Sequence, residues 1–131
     1  MEKIDLTIHK VIIKQIHQSL KAIAPLVEHP FLLEQTEYFN YYEGIGQGPN
    51  IFCYPVLQNK ASSSKPKTDL NITLEEGEIA IKKWDIDNIT YKTIATIDLH
   101  DTDYLPKTIK HIEQGMAEIT REYQNNWVSH L

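Results

Sequence analysis

Residues 69–99 read DLNITLEEGEIAIKKWDIDNITYKTIATIDL, and this stretch constrains the fold more than any other. Apolar residues recur at every second position: Leu70, Ile72 and Leu74, then Ile79 and Ile81, then Ile89, Tyr91, Ala95, Ile97 and Leu99. A period of two places each set on one face of a strand. The runs are separated by EEGE, which carries Gly77, and by DIDN, whose Asp and Asn side chains start turns by bonding to nearby backbone. Short strands joined by such tight turns predict an antiparallel meander. Its apolar face has to be covered by something else in the chain.

Two amphipathic helices supply that cover. Ile8, Ile12, Ile16, Leu20, Ile23 and Val27 form one stripe, with Asp5 or Thr7 as a cap and Pro25 as the stop. Leu105, Ile109, Ile112, Met116, Ile119 and Tyr123 form a second, with Pro106 in its first turn. Ile4, Leu6 and Ile8 also alternate, which allows a short leading strand. Between the first helix and the meander, Pro30 in EHPFLLEQ could open a short helix. The aromatic run Tyr38, Phe39, Tyr41 and Tyr42 predicts a strand, as does IFCYPVL at 51–57, where Pro55 suggests an edge or a bulge.

The economical arrangement is an α+β fold: an antiparallel meander sheet of four to five strands, with the N-terminal and C-terminal helices packed on one face. The other face, with Asn71, Thr73, Ala80, Lys82, Trp84, Lys92, Ile94 and Thr96, is expected to lie open to solvent or to a partner. The polar stretch NKASSSKPKT at 59–68 has the makeup of a flexible loop. A chain of 131 residues fits a single domain over 1–131, and 41% hydrophobic content suffices for its core without a disulfide or metal staple.

Charge narrows the partners. The net charge is −5, and Arg121 is the one arginine among thirteen basic residues. A nucleic-acid surface ordinarily needs a basic patch with arginines, so none is expected here. No stretch approaches the length of a membrane span, no signal peptide is visible, and the single cysteine, Cys53, permits no intrachain disulfide. The expected setting is the cytoplasm.

The chain offers several candidate motifs, and each has a simpler structural reading. In YYEGIGQGPNIFCYP (41–55) Gly44, Gly46 and Gly48 alternate. A phosphate-binding glycine loop needs G-x-G-x-x-G ahead of a helix, or Gly-Lys-Ser/Thr; a hairpin connection fits these residues better. WDIDN lacks the Gly and Glu of a calcium loop and reads as a turn. LHDTD joins His100 to Asp101 and Asp103, chemistry suited to a metal or a general base, but an acidic turn capped by Asp103 is the simpler reading. Cys53 lies in a strand with no base in view and reads as a small apolar residue. Trp84 and Ile94 on the second sheet face are candidates for a contact surface. No cofactor, metal or catalytic set is indicated.

Simple hairpins place alternate connections at opposite ends of the sheet. One end then gathers Glu43, Glu75, Glu76, Glu78, Asp98, Asp101 and Asp103, while Lys60, Lys65 and Lys67 fall at the other. Together with the acidic balance, this favours a small protein-binding domain without catalysis, most concretely an immunity- or antitoxin-like inhibitor of a basic toxin such as a nuclease. Two alternatives stand beside it. One is a small-molecule pocket using His100, Asp101, Tyr38, Tyr41 and Tyr42. The other is a homodimer formed through the open sheet face with Trp84.

Overall fold

The computed structural model describes residues 6–36, 39–40, 45–46, 49–56, 69–75, 77–85 and 88–128. Helix α1 (Leu6–Ile23) is followed by β1 (Phe31–Thr36), β2 (Phe39–Asn40), β3 (Ile45–Gly46), β4 (Asn50–Pro55), β5 (Leu70–Glu75), β6 (Glu78–Asp85), β7 (Thr90–Asp98) and α2 (Tyr104–Val128). Five strands form one antiparallel sheet in the order β1-β4-β5-β6-β7, and β2 and β3 form a separate two-stranded ribbon. This is the α+β meander expected from the period-two runs.

The core lies between the sheet and both helices. Ile13, Ile16 and Leu20 of α1 and Ile112, Met116 and Ile119 of α2 are buried in one cluster with Ile51, Cys53, Leu70, Ile72, Ile79, Ile81 and Ile97 of the sheet. The α1 stripe is rotated from the expected one: Ile13 and Ala24 are buried, while Ile8 is 54% exposed. Ile12 and Ile13 are both apolar, so the spacing alone permitted either face, and packing against the sheet selected the second. The α2 stripe falls as expected from Leu105 to Ile119, and the buried Thr108 and Thr120 extend it. Their hydroxyls donate back to the carbonyls of Tyr104 and Met116, so neither buries an unsatisfied donor.

Three local expectations change. Phe31–Thr36 is an edge strand and not a helix opened by Pro30. The stop at Pro25 lies just past α1, and Leu6 and Ile8 are helical, not part of a leading strand; Ile4 lies outside the described residues. Of the aromatic run, Phe39 lies in the ribbon and not in the main sheet, Phe39 and Asn40 pairing with Gly46 and Ile45; Tyr38, Tyr41 and Tyr42 lie outside the described residues. The ribbon continues the β1–β4 hairpin, in which Thr36 opposes Asn50. Of the glycine stretch, Gly46 lies in a strand of an antiparallel pair, and Gly44 and Gly48 lie outside the described residues. The polar stretch 59–68 lies outside the described residues.

The consequential departure is a bulge. Ile81 pairs with Ala95, but Lys82 pairs with Thr93, so Ile94 is an extra residue on β7. One inserted residue reverses the facing of everything before it. Tyr91 is thereby opposite Trp84, on the face away from the helices, instead of on the core face with Ala95. The turn before β7 also departs from ordinary geometry: Ile89 has φ of 51°, a region that a β-branched side chain rarely adopts.

Candidate functional site

The acidic turns do share one end of the sheet. The β5–β6 turn, with Gly77 at φ 80°, lies beside the β7–α2 turn. The Leu99 N–H donates to the Gly77 carbonyl at 3.0 Å, and Glu78 is in register with Asp98. Glu75, Glu78, Asp98, Asp101 and Asp103 are thus brought together at the end expected for them, whereas Glu43 and Glu76 lie outside the described residues.

Their electrostatics are not those of a bare rim. Glu75 pairs with Lys82, and Asp101 pairs with Lys107. The Lys107 partner holds the Asp101 carboxyl below the usual carboxylate range, and Asp101 in turn raises the Lys107 pKa. Asp98 accepts from the His100 backbone N–H at 2.8 Å and contacts the His100 ring Nδ1 at 3.0 Å; both lower its pKa. Asp101 also accepts from the Asp103 N–H at 3.1 Å, and the Asp103 carbonyl receives the Lys107 N–H at the start of α2. These bonds fix the turn as a helix entry. His100 stands out into solvent with its Asp98 contact, and Tyr38, Tyr41 and Tyr42, the aromatic residues expected beside it, lie outside the described residues. No group of three or more His, Cys, Asp or Glu side chains suited to a metal occurs among the described residues.

The second face of the sheet is a different matter, and here the expectation of an open surface holds on β7, where Ile94 and Thr96 are exposed, but is corrected over β5 and β6. Asn50, Asn71, Ala80 and Lys82 are buried there, the two asparagines completely. Phe52 and Tyr91 provide the reason. Phe52 lies on β4 and Tyr91 on β7, three strand positions apart, which separates their backbones by about 14 Å. Their ring centroids are nevertheless only 6.3 Å apart. The two rings lean toward each other over the strands between them, where Asn71 is in register with Phe52 on one side and Lys82 on the other. Tyr54 stacks beside Phe52 at 6.3 Å, and Trp84 meets Tyr91 edge-on at 5.0 Å. Trp84 is accordingly half-buried. Ile94, the bulge residue, remains 45% exposed.

Beneath these rings the polar groups are only partly satisfied. Asn71 Nδ2 donates to Asn50 Oδ1 at 2.8 Å, and the Tyr91 hydroxyl donates to Asp69 Oδ2 at 3.2 Å. The Trp84 N–H donates to the Asp69 carbonyl at 3.2 Å, which ties the start of β5 to β6. Two buried side-chain oxygens among the described residues, Asp69 Oδ1 and Asn71 Oδ1, have no hydrogen-bond partner. Burial raises the Asp69 pKa, and the Tyr91 hydrogen bond opposes that shift. Burial, with the Glu34 carboxylate next in weight, pushes the Tyr54 hydroxyl up to about 12. Sequence reasoning passed over Asp69, Phe52 and Tyr91 as site residues. The signal that could have found them is the change in facing at Ile94, which the alternation of types did not reveal.

Cys53 is fully buried in the core on the helix side, and burial raises its thiol pKa far above the ordinary value. It serves as the small apolar residue expected of it. No helix among the described residues is long and apolar enough to cross a membrane. The chain matches no protein-family model, no curated protein and no solved structure.

Proposed function

We propose that this chain is a protein-binding domain without catalysis. On this reading, the acidic end of its sheet covers a basic surface on a partner, as an immunity- or antitoxin-like inhibitor covers a basic toxin such as a nuclease. The observation that carries the reading is the joining of the β5–β6 and β7–α2 turns through the Leu99–Gly77 bond, which merges two acidic segments into one surface. Hydrogen bonds to Asp98 and Asp101 already order that surface. Less conformational entropy is then lost on docking. The overall charge of −5 adds long-range attraction toward a basic partner.

Glu75 is a poor site for the test, because it holds the buried Lys82 and its removal would confound binding with stability. Glu78 and Asp103 are exposed and suit it better. Affinity capture with the full chain at low salt, followed by mass spectrometry, is expected to recover a basic protein. The purified complex should then weaken steeply with added salt. Glu78→Gln with Asp103→Asn should slow association several-fold while leaving the melting temperature nearly unchanged, since rim charges act mainly on the on-rate. Capture of no basic protein, or a complex indifferent to salt and to both substitutions, would overturn the proposal.

A further inference from the structure

The second sheet face carries a feature that the acidic end does not explain. A buried asparagine in the middle of a sheet ordinarily has all its polar atoms paired, because an unmet buried acceptor costs about 1–3 kcal/mol. Here two such acceptors occur two residues apart, Asp69 Oδ1 just before β5 and Asn71 Oδ1 within it. Asn71 is wholly buried. Both oxygens are acceptors, so the chemistry that satisfies them is a donor of at least two hydrogen bonds. One belongs to a carboxylate, which favours a donor carrying positive charge.

The surroundings narrow the class further. Phe52 and Tyr91 lean together over this part of the sheet at 6.3 Å, and Trp84 stands at 5.0 Å from Tyr91. All three residues are half-buried, not fully enclosed. Aromatic faces attract cations, and a flat delocalised cation also stacks on them. An ammonium ion such as that of Lys82 is a compact, strongly hydrated point charge, whereas a guanidinium is planar and less strongly hydrated. Its several N–H groups can also serve more than one acceptor at once.

We propose that Asp69, Asn71, Phe52, Trp84 and Tyr91 form a binding site for a small planar cation of the guanidinium or amidinium class. Its N–H groups meet Asp69 Oδ1 and Asn71 Oδ1, and its face lies against the rings. Binding requires the Phe52 and Tyr91 rings to part, and the contact between them is an edge of two side chains with no backbone to break. The site does not rest on the protein-binding reading above. It lies at mid-sheet and toward the β6–β7 turn, away from the acidic turns.

The test titrates methylguanidinium chloride into the full chain and follows backbone and side-chain amide resonances by NMR. Tetramethylammonium chloride at equal ionic strength serves as a cation with no N–H. Methylguanidinium is expected to bind saturably in the millimolar range or tighter and to shift the Asn71 side-chain amide and the Trp84 indole. Tetramethylammonium should shift neither. Asp69→Asn, checked for folding by circular dichroism, should weaken binding about tenfold or more, the scale of a lost charge-assisted hydrogen bond. Trp84→Leu should weaken it by a smaller factor. The proposal is overturned if methylguanidinium shows no saturation, if it binds Asp69→Asn as tightly as the parent, or if its shifts centre on Glu78, Asp98 and Asp103. The resonance map of the unmodified protein decides the question even where a variant does not fold.

Discussion

Asp69 is a carboxylate placed where its charge is costly. Burial raises its pKa, and the Tyr91 hydroxyl offsets only part of that. The folded chain therefore keeps this proton to a higher pH than the unfolded chain does. Between the ordinary carboxylate pKa and the raised one, the native state binds more protons, so this group's contribution to stability falls as pH rises. Above that window its cost is fully present. Asp98 and Asp101 act in the opposite sense: their lowered pKa values add stability that is lost on acidification. The variant Asp69→Asn separates the two effects, because it removes only the first. Its melting temperature relative to the parent is expected to rise as pH increases through the carboxylate range, then level off toward neutrality. Thermal melts of both proteins across that range measure it, and a difference independent of pH would refute the assignment. None of this was legible in DLNITL. Asp69 there is only the residue before a strand, and its partner Tyr91 lies 22 positions further on.

At the scale of elements, the alternation of types located β5, β6 and β7 and the α2 stripe, because the period records the apolar face that each turns toward the core. It misplaced Tyr91 for a physical reason: period-two counting assumes an unbroken ladder, and the extra Ile94 interrupts it. It also passed over Gly115, since a missing side chain leaves no mark in a hydrophobic pattern. Gly115 is buried on α2, and a Cβ built there would lie 2.8 Å from Leu70 Cδ1. Leu70 is itself fully buried on β5, so its side chain has little room to retreat. The glycine thus sets how closely α2 approaches the sheet. In a helix interior it costs about 1 kcal/mol relative to alanine, and here the close approach offsets that cost. Gly115→Val is expected to destabilise by about 1–3 kcal/mol through overpacking. Urea unfolding followed by circular dichroism measures this, with a lower midpoint at an unchanged slope as the expected outcome. A midpoint at or above that of the parent would mean that α2 is free to shift outward.

At the scale of the molecule, the gathering of turns at one end was legible because antiparallel neighbours joined in sequence must alternate ends, whatever the side chains are. What covers each sheet face was legible for only one of the two. Helical stripes announce a partner surface; rings leaning together over two intervening strands do not. The helix-side core is a single cluster drawing on α1, the sheet and α2, with Cys53 fully buried within it. Such a core has no sub-region that opens to Cys53 alone, so thiol exposure should require global unfolding. For a domain of ordinary stability, about 5 kcal/mol or more, native conditions should slow Cys53 alkylation by about a thousandfold or more relative to the unfolded chain. Burial also keeps the thiol protonated in the folded state, which removes the reactive thiolate. Iodoacetamide labelling across a urea series, read by mass spectrometry, should therefore give a labelling free energy that falls with the same slope as unfolding followed by circular dichroism. Labelling that proceeds at low urea with a much shallower slope would show that a helix lifts from the sheet on its own, and that the two helices do not close one cooperative core.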